Sequence, residues 1–231
     1  MTELGPIEAI AFDLDGTLVD SAPDIAAALD AALHGAGLRR FDLVTVRAWI
    51  GDGPDALISR ALAAQNFADA PPKLRASLRR GFDVHTLAAP LEHGHVFDGI
   101  RELLAGLHPH FQMSVVTNKP SPLARAVLDT AGLSIFTVSV HGADTAELRK
   151  PAPGLLLAAA QRLAVPPARL LMVGDSTPDL LAARGAGCPA ALVAWGYGHD
   201  GVPEHLRPWR VAEPQHLLQG LLNGRQTALA E

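Results

Sequence analysis

The sequence predicts a doubly wound α/β fold, with a parallel-sheet core into which an α-helical domain is inserted. Short apolar runs that end in Asp, Asn or Gly predict the strands of the sheet. Stretches with helical spacing lie between most of these runs, and this alternation is typical of parallel sheets. The long segment between the first run and Val96 shows no convincing strand, which predicts the insertion.

Five apolar runs are the predicted strands, at residues 7–14, 112–117, 136–141, 169–174 and 189–193. Core helices are predicted at residues 100–107, 121–131, 153–163 and 178–186. Pro near the start and Gly near the end mark the boundaries of several of these helices.

The segment after the first strand has four helical patterns, separated by Gly and Pro, at residues 23–35, 42–50, 54–65 and 72–87. We therefore expect residues 20–91 to form a separate helical domain, called here the helical insertion. Residues 1–19 and 92–231 are then expected to form the core domain.

Composition narrows the class of protein. The chain has 231 residues, 48% hydrophobic and 19% charged, which excludes a disordered chain and suits one large domain or two modest ones. A net charge of −5 argues against a broad nucleic-acid-binding face. The first residues lack the features of a signal peptide, and no apolar run is long enough for a membrane span. The single cysteine, Cys188, cannot form an internal disulfide, so we expect a cytoplasmic protein. We also expect a monomer or homodimer without nucleic-acid or membrane partners.

Two carboxylates follow the first predicted strand, Asp13 and Asp15, with Gly16 and Thr17 directly after them. Ligands of open α/β sheets bind outside the carboxyl ends of the strands. Carboxylates this close repel each other unless a cation or hydrogen bonds compensate. The pattern indicates a nucleophile and an acid–base residue beside a hard metal ion, and a simple Asp-Gly turn is the alternative.

Asp175 follows the fourth predicted strand, and Asp179 lies in the first turn of the next helix. Taken alone, Asp175 or its neighbours Ser176 and Thr177 could simply cap that helix. Together with the first pair, however, several carboxylates converge on one edge of the sheet. Such a cluster is costly without a divalent cation, so the sequence predicts a Mg²⁺ site.

Thr117 and Asn118 end the second predicted strand just before a helix, where hydroxyl, amide and backbone N–H groups could bind an anion. Taken alone, helix capping is the better explanation for them. Lys150 precedes another helix and by itself is typical of a surface residue. The chain uses only three lysines, Lys73, Lys119 and Lys150, which makes the position of each one informative.

Four motifs occur in one order along the chain: residues 13–17, residues 117–118, residues 150–151, and residues 174–176 followed by Asp179. In this combination the chain resembles phosphatases of the haloacid dehalogenase superfamily that carry a helical cap. Shorter stretches, at residues 18–24, 49–53, 60–62, 116–120 and 196–198, resemble bacterial phosphoglycolate phosphatases. Sugar-phosphate phosphatases of the same subfamily share much of this second resemblance.

The resemblance implies roles for the motif residues. Asp13 would attack phosphorus and form an aspartyl-phosphate, and Asp15 would protonate the leaving alcohol. Mg²⁺ would be held by Asp13, by the backbone carbonyl of Asp15 and by Asp175. Asp179 would support Lys150 or a metal-bound water.

Thr117 and the N–H of Asn118 would bind phosphate oxygens, and Lys150 would neutralise charge on the phosphate and the nucleophile. In the helical insertion, the candidates for substrate contact are Gly51, Asp52, Gly53 and Arg60. A substrate carboxylate could pair with Arg60 or with Arg47. Asp52 would repel an anionic substrate if it faced the site, so it is expected to point away or to bind a hydroxyl instead. For Arg60, the alternative is an outward position on its helix.

The implied function is Mg²⁺-dependent hydrolysis of a phosphomonoester of carbohydrate metabolism, with 2-phosphoglycolate as the leading substrate. Another small phosphorylated metabolite, such as a sugar phosphate or N-acetylmuramate 6-phosphate, is the alternative, and a sugar phosphomutase also stays open. Asp15 argues against the dehalogenases of the superfamily, which lack the second Asp. The inserted helices and Asp15 argue against a receiver-like signalling module.

Overall fold

The computed structural model describes residues 6–230, with side chains described to residue 224. In chain order the described strands are β1 Ala9–Phe12, β2 Val19–Asp20, β3 His95–Val96, β4 Gln112–Thr117, β5 Ser139–Gly142, β6 Leu170–Gly174, β7 Ala190–Val193 and β8 Trp209–Val211. The described helices are α1 Ala22–Gly35, α2 Leu43–Arg47, α3 Pro54–Ala63, α4 Pro72–Ala88, α5 Ile100–Leu107, α6 Ser121–Thr130, α7 Gly154–Leu163, α8 Thr177–Ala186 and α9 Pro214–Ala230.

The main sheet has the strand order β5-β4-β1-β6-β7-β8, and all its neighbouring strands are parallel. Strand β1 is therefore flanked by β4 and β6, and Phe12 lies opposite Val115 and Val173. The mixed α/β class and parallel sheet predicted from the apolar runs are confirmed.

Both faces of the sheet are covered by helices. In β1, Ile10 and Phe12 join one apolar cluster with α5, α6 and α9, whereas Ala9 and Ala11 join a second cluster with α7 and α8. Alternate side chains of a strand point to opposite faces, so a strand buried on both faces has to be apolar throughout. This explains why β1 is an uninterrupted apolar run.

Helices α1 to α4 of the helical insertion share an apolar cluster of their own, to which Leu29, Leu57 and Phe82 contribute. The cluster also includes Leu123 of α6, at the place where α4 meets the sheet-forming part of the chain. Burial against one another, rather than against the sheet, accounts for the lack of strand-like runs in this segment.

Four elements were not expected from the sequence. Strands β2 and β3 pair antiparallel through two residues each, Val19 with Val96 and Asp20 with His95. Strand β8 extends the sheet beyond β7, and α9 follows it. Two- and three-residue strands are too short to show a hydrophobic period, so only tertiary pairing reveals them.

Asp24 ties together the two segments that connect the helical insertion to the sheet. Its carboxylate accepts backbone N–H bonds from residues 92, 93 and 94, at 2.7, 2.8 and 2.8 Å. Gly94 permits this contact, because a Cβ there would lie 2.6 Å from Asp24 Oδ2. The start of α1 and the return segment are thereby held side by side.

Among the described helices, none has the length and apolar character needed to cross a membrane. Residues 1–5, which entered the expectation about targeting and the predicted core domain, lie outside the described residues, as does residue 231.

Candidate active site

The polar residues singled out at the strand ends meet at one edge of the sheet. Asp13 follows β1, Thr117 ends β4, and Asp175 follows β6, the two flanking strands being the neighbours of β1. Lys150 reaches the same edge from the loop between β5 and α7. Parallel strands bring their carboxyl ends to the same side, so four distant segments contribute to one site.

Lys150 lies at the centre of the site and is almost completely buried. Its Nζ is 2.9 Å from Asp13 Oδ1, 2.6 Å from Asp179 Oδ1 and 2.9 Å from the carbonyl oxygen of Val116. Burial by itself would lower the pKa of Lys150, but the adjacent carboxylates of Asp13 and Asp179 raise it above its usual value. The ammonium is therefore held charged, with all three donors used.

Asp13, Asp175 and Asp179 each present a carboxylate oxygen within 4.8 Å of the others, and all three residues are buried. Burial raises the pKa of Asp13 to about 7, against the opposing charge of Lys150. Burial, followed by the charge of Asp179, raises the pKa of Asp175 to about 6. Lys150 alone thus leaves negative charge uncompensated here, and an all-oxygen donor set of this kind suits a hard divalent cation.

Asp175 is oriented by the loop that follows β7. Its Oδ2 accepts the backbone N–H of Tyr197 at 2.7 Å and that of Gly198 at 3.2 Å, and Thr17 Oγ1 lies 3.4 Å from Oδ1. Gly16 has a φ of +85°, and a Cβ there would lie 2.6 Å from Asp175 Oδ2. A side chain at position 16 would therefore displace this carboxylate.

Asp179 serves two structural purposes at once. Its Oδ2 accepts the N–H of Ser176 at 3.1 Å and the Ser176 hydroxyl at 2.7 Å, which caps α8. Its Oδ1 binds Lys150. The capping interpretation and the support of Lys150 are thus compatible, since each oxygen of Asp179 has its own partner.

Asp15 forms an ion pair with Lys119, whose Nζ lies 2.8 and 2.9 Å from the two carboxylate oxygens. The hydroxyl of Ser21 also donates to Asp15 Oδ1. Both members of the pair are mostly buried, with side-chain exposures of 12% and 5%. Lys119 was not among the predicted site residues. Its position after Thr117 and Asn118, in a chain with three lysines, was the signal that could have identified it.

Asn118 connects three segments through its side chain. Its Nδ2 donates to the carbonyl oxygens of Gly51 at 2.8 Å and Lys150 at 3.1 Å, and its Oδ1 accepts the N–H of Lys150 at 2.7 Å. Thr117 is buried beside it, and its hydroxyl oxygen accepts the N–H of Lys119 at 3.2 Å. The side chain of Asn118 therefore fixes the loops around the site.

A cleft of about 450 Å³, including solvent at its mouth, opens over these residues. The sheet edge supplies its polar lining, and the helical insertion supplies a mainly apolar wall. The lining residues are Asp13, Asp15, Ile25, Ile50, Gly51, Gly53, Pro54, Leu57, Phe82, Thr117, Asn118 and Lys119.

The candidates from the helical insertion divide into two pairs. Gly51 and Gly53 line the cleft, whereas Asp52 and Arg60 are not among its described lining residues. Arg60 donates to Asp52 Oδ2 and, at 2.6 Å, to the carbonyl oxygen of Trp49. Arg60 therefore braces the loop that carries Gly51 and Gly53, and its charge offsets that of Asp52.

Tyr197 also reaches the helical insertion. Its hydroxyl donates to Asp20 Oδ1 at 2.7 Å, and Asp20 Oδ2 lies 3.2 Å from Arg47 Nη2. The Arg47 guanidinium stacks 5.4 Å from the centre of the Tyr197 ring. Burial and the charge of Asp20 raise the pKa of Tyr197, so its hydroxyl stays protonated and able to donate. Neither Tyr197 nor Asp20 was singled out from the sequence as a site residue.

Comparison with known proteins identifies the class of enzyme. Residues 7–187 match the family model of the haloacid dehalogenase-like hydrolases, and the chain belongs to this family. The family predicted from the four motifs is confirmed.

Individual relatives of the chain point to a particular kind of enzyme within this family. The chain is 37% identical over 219 residues to a phosphoglycolate phosphatase of Vibrio vulnificus, covering 93% of both chains. It is 39% identical over 196 residues to one of Vibrio parahaemolyticus, covering 84% of this chain and 86% of the relative. A crystal structure described as a predicted phosphoglycolate phosphatase from Haemophilus somnus superposes with a TM-score of 0.84 at 28% identity. That superposition covers 92% of this chain and 97% of the other.

Proposed function

We propose that this chain is a Mg²⁺-dependent phosphatase that hydrolyses 2-phosphoglycolate to glycolate and inorganic phosphate. The phosphatase class rests on the family match and on relatives of 37–39% identity that carry this activity in their names. The substrate is carried over from those names and is supported by a small cleft with one cationic side chain in its lining.

The observation that carries the proposal is the arrangement of Asp13 and Asp15. Both carboxylates line the same cleft, and each contacts a different buried lysine, Lys150 and Lys119. Hydrolysis of a phosphate ester needs a nucleophile and a proton donor on opposite sides of the bond that breaks. Two separately paired carboxylates in one cleft supply these two groups.

In the first step Asp13 attacks phosphorus and the ester bond to the leaving oxygen breaks, with the proton for that oxygen coming from Asp15. In the second step Asp15 takes a proton from water as the water oxygen attacks phosphorus, and the bond to Asp13 breaks. Inorganic phosphate leaves and both carboxyl groups return to their starting forms. Lys150 screens the charge of Asp13 and of the phosphoryl oxygens throughout.

Asp13, the backbone carbonyl of Asp15 and Asp175 are the proposed ligands of Mg²⁺. The raised pKa values of Asp13 and Asp175 and the all-oxygen donor set support a hard cation here. When bound, the ion supplies positive charge that stabilises the phosphoryl group during its transfer.

Thr117 and the backbone N–H of Asn118 are the proposed ligands of the phosphoryl oxygens. They lie at the start of the segment that leads into α6, where backbone N–H groups favour an anion. The side chain of Asn118 is engaged with Gly51 and Lys150, which holds this segment in place.

Residues 20–91 are proposed to act as a cap over a core formed by residues 1–19 and 92–231. The separate apolar cluster of α1 to α4 and the contact of Gly51 with Asn118 support this division. The cap closes the cleft with Gly51 and Gly53, which exclude water from the reacting groups.

Steady-state kinetics on a panel of phosphate esters test the substrate. We expect the highest kcat/KM for 2-phosphoglycolate, compared with glucose 6-phosphate and N-acetylmuramate 6-phosphate. A higher kcat/KM for either sugar ester would contradict the assignment of 2-phosphoglycolate. EDTA should abolish phosphate release, and Mg²⁺ should restore it.

The phosphomutase alternative gives a different product. A mutase would convert a sugar 1-phosphate to the 6-phosphate with little release of inorganic phosphate. Measuring both isomerisation and phosphate release in the same assay separates the two activities.

A further inference from the structure

Among the described residues that line the cleft, one cationic side chain is present, and it is paired with Asp15. Among the described residues that line it, Asp13, Asp15 and Lys119 are the charged ones, so Lys119 is the single positive group. Its side chain is 5% exposed, and its Nζ contacts both oxygens of Asp15. The ammonium is therefore held where the proposed proton donor acts.

The other basic side chains around the site are also paired and are not among the described residues that line the cleft. Lys150 is fully used by Asp13, Asp179 and the carbonyl oxygen of Val116. In the helical insertion, Arg60 binds Asp52 and the carbonyl oxygen of Trp49.

Arg47 binds Asp20 and stacks on Tyr197, and Arg149, next to Gly53, binds Asp55. Because Lys119 is the cationic side chain in the described lining, a second anionic group on a substrate would meet Lys119 rather than one of these arginines. This differs from the sequence-based expectation, which assigned a substrate carboxylate to Arg47 or Arg60.

We propose that Lys119 is the specificity-determining residue that binds the substrate carboxylate next to the ester bond that breaks. This inference rests on the proposed function. In an ester of a 2-hydroxy acid, one carbon separates the ester oxygen from the carboxylate carbon. A group that contacts Asp15, the donor to that oxygen, is within reach of the carboxylate as well.

The chemistry of Lys119 suits a shared role. An ammonium has three donors that can point in different directions, so Nζ can contact Asp15 and a substrate carboxylate together. The remaining wall of the cleft is apolar, with Ile25, Leu57 and Phe82 facing it. The substrate class that fits is the phosphate monoester of a short 2-hydroxy carboxylate. An apolar wall offers few hydrogen-bond partners to the hydroxyl groups of a sugar ring.

The test compares two esters that differ in one group. 2-Phosphoglycolate carries the carboxylate, and 2-hydroxyethyl phosphate carries a neutral hydroxymethyl group in its place. We expect the wild-type protein to prefer 2-phosphoglycolate by at least about tenfold in kcat/KM, which is the value of one hydrogen bond to a charged group. Equal kcat/KM for the two esters would overturn the proposal without any variant.

The variants separate binding of the carboxylate from support of Asp15. Lys119→Gln should lower kcat/KM for 2-phosphoglycolate about 10- to 100-fold more than for 2-hydroxyethyl phosphate, and Lys119→Arg should recover part of the preference. Equal losses on both esters would show that Lys119 serves only Asp15. Lys73→Gln, at an exposed lysine of α4, is the matched control and should leave the preference unchanged.

The two proposals fail in different ways. If the wild-type protein releases phosphate from neither ester, the proposed function is wrong and this inference falls with it. If the wild-type protein hydrolyses 2-phosphoglycolate but Lys119→Gln retains the full preference for it, the proposed function stands and the role of Lys119 is wrong.

Discussion

The hydroxyl of Tyr197 donates a 2.7 Å hydrogen bond to Asp20, the residue that ends β2 at the entrance to the helical insertion. The backbone N–H of the same tyrosine holds Asp175, one of the proposed metal ligands. One residue thus links the carboxylate cluster to the segment that leads into the helical insertion.

Replacing Tyr197 tests this link. Tyr197→Phe removes the hydroxyl but keeps the ring and the backbone N–H, so the hold on Asp175 persists. We expect a loss of about 1 kcal/mol in the free energy of unfolding, measured by denaturant titration, and a lower kcat/KM. The affinity for Mg²⁺, measured by calorimetry, should stay unchanged. A weakened metal affinity would show that the side chain, and not the backbone, orients Asp175.

The nucleophile assignment predicts an inactive but folded variant. Asp13→Asn should reduce kcat by at least about 10³-fold, because an amide cannot form the acyl-phosphate. The fold should persist, since Lys150 keeps its contacts to Asp179 and Val116. Phosphate release and thermal unfolding measure the two effects. Asp69→Asn, at an exposed carboxylate, is the control and should be fully active. Turnover by Asp13→Asn near the wild-type rate would reject the assignment.

The carboxylate cluster predicts how pH changes stability in the absence of metal. The pKa values of Asp13 and Asp175 are raised from 3.8 to about 7 and about 6. At pH values between the unfolded pKa of 3.8 and these folded pKa values, the folded state binds more protons than the unfolded state. The contribution of these two carboxyl groups to stability therefore falls as pH rises from about 4 to about 7. Thermal unfolding in EDTA across this range measures the effect.

Mg²⁺ should reverse that loss, because the ion binds the ionised carboxylates. The increase in Tm on adding saturating MgCl₂ should be larger at about pH 8 than at about pH 5. NaCl at equal ionic strength is the control. An increase of the same size at both pH values would argue against binding to Asp13 and Asp175.

Replacing Gly53 should have a local steric effect, and Gly37, elsewhere in the helical insertion, provides a control position without that effect. Gly53 has a φ of +79°, and a Cβ there would lie 2.9 Å from the carbonyl oxygen of Asn118. Gly37 has a similar φ of +70°, with nothing within 4 Å of its Cβ position.

Ala at either position should lower the free energy of unfolding, because both positions have a positive φ. The loss should be larger for Gly53→Ala, since with a ψ of 172° its backbone lies in a region open essentially only to glycine. Only Gly53→Ala should also lower kcat/KM, since it pushes the loop away from the cleft. Kinetics and denaturant unfolding of the two variants measure this difference. A similar kcat/KM for both variants would mean that the loop does not need to approach Asn118.

The ion pair of Arg60 with Asp52 should have a small, salt-dependent effect on kcat/KM. Arg60→Ala leaves Asp52 unpaired beside the loop that lines the cleft, so an anionic substrate should be repelled. We expect kcat/KM to fall about two- to fivefold at low salt, the range of a partly exposed ion pair. The double variant Asp52→Asn with Arg60→Ala should recover most of that loss. No recovery would indicate that Arg60 acts through its bond to Trp49.

The strand ends show how far sequence reasoning extends. An apolar run followed by Asp13, and another followed by Asp175, are local patterns, and the topology of parallel sheets brings such ends to one edge. The ion pair of Asp15 with Lys119 joins residues 104 positions apart. A repeating hydrophobic pattern relates residues only a few positions apart, so it cannot predict this pair. The sequence pointed to Lys119 only through its position after Asn118 and the scarcity of lysine.

The helical insertion shows the opposite case. Its four helices follow from local Gly, Pro and apolar spacing, but which arginine faces the cleft depends on how the helices pack. Sequence reasoning offered Arg60 for a substrate carboxylate, and the structure instead pairs it with Asp52 and Trp49.

By itself the sequence determined the α/β class, the family and the set of residues at the strand ends, because each depends on patterns within a few residues of one another. Only the tertiary structure decided which charged groups pair, which side chains line the cleft, and how Tyr197 connects Asp175 to Asp20. These contacts join segments that are distant in the chain, and their partners are selected by packing and burial rather than by spacing.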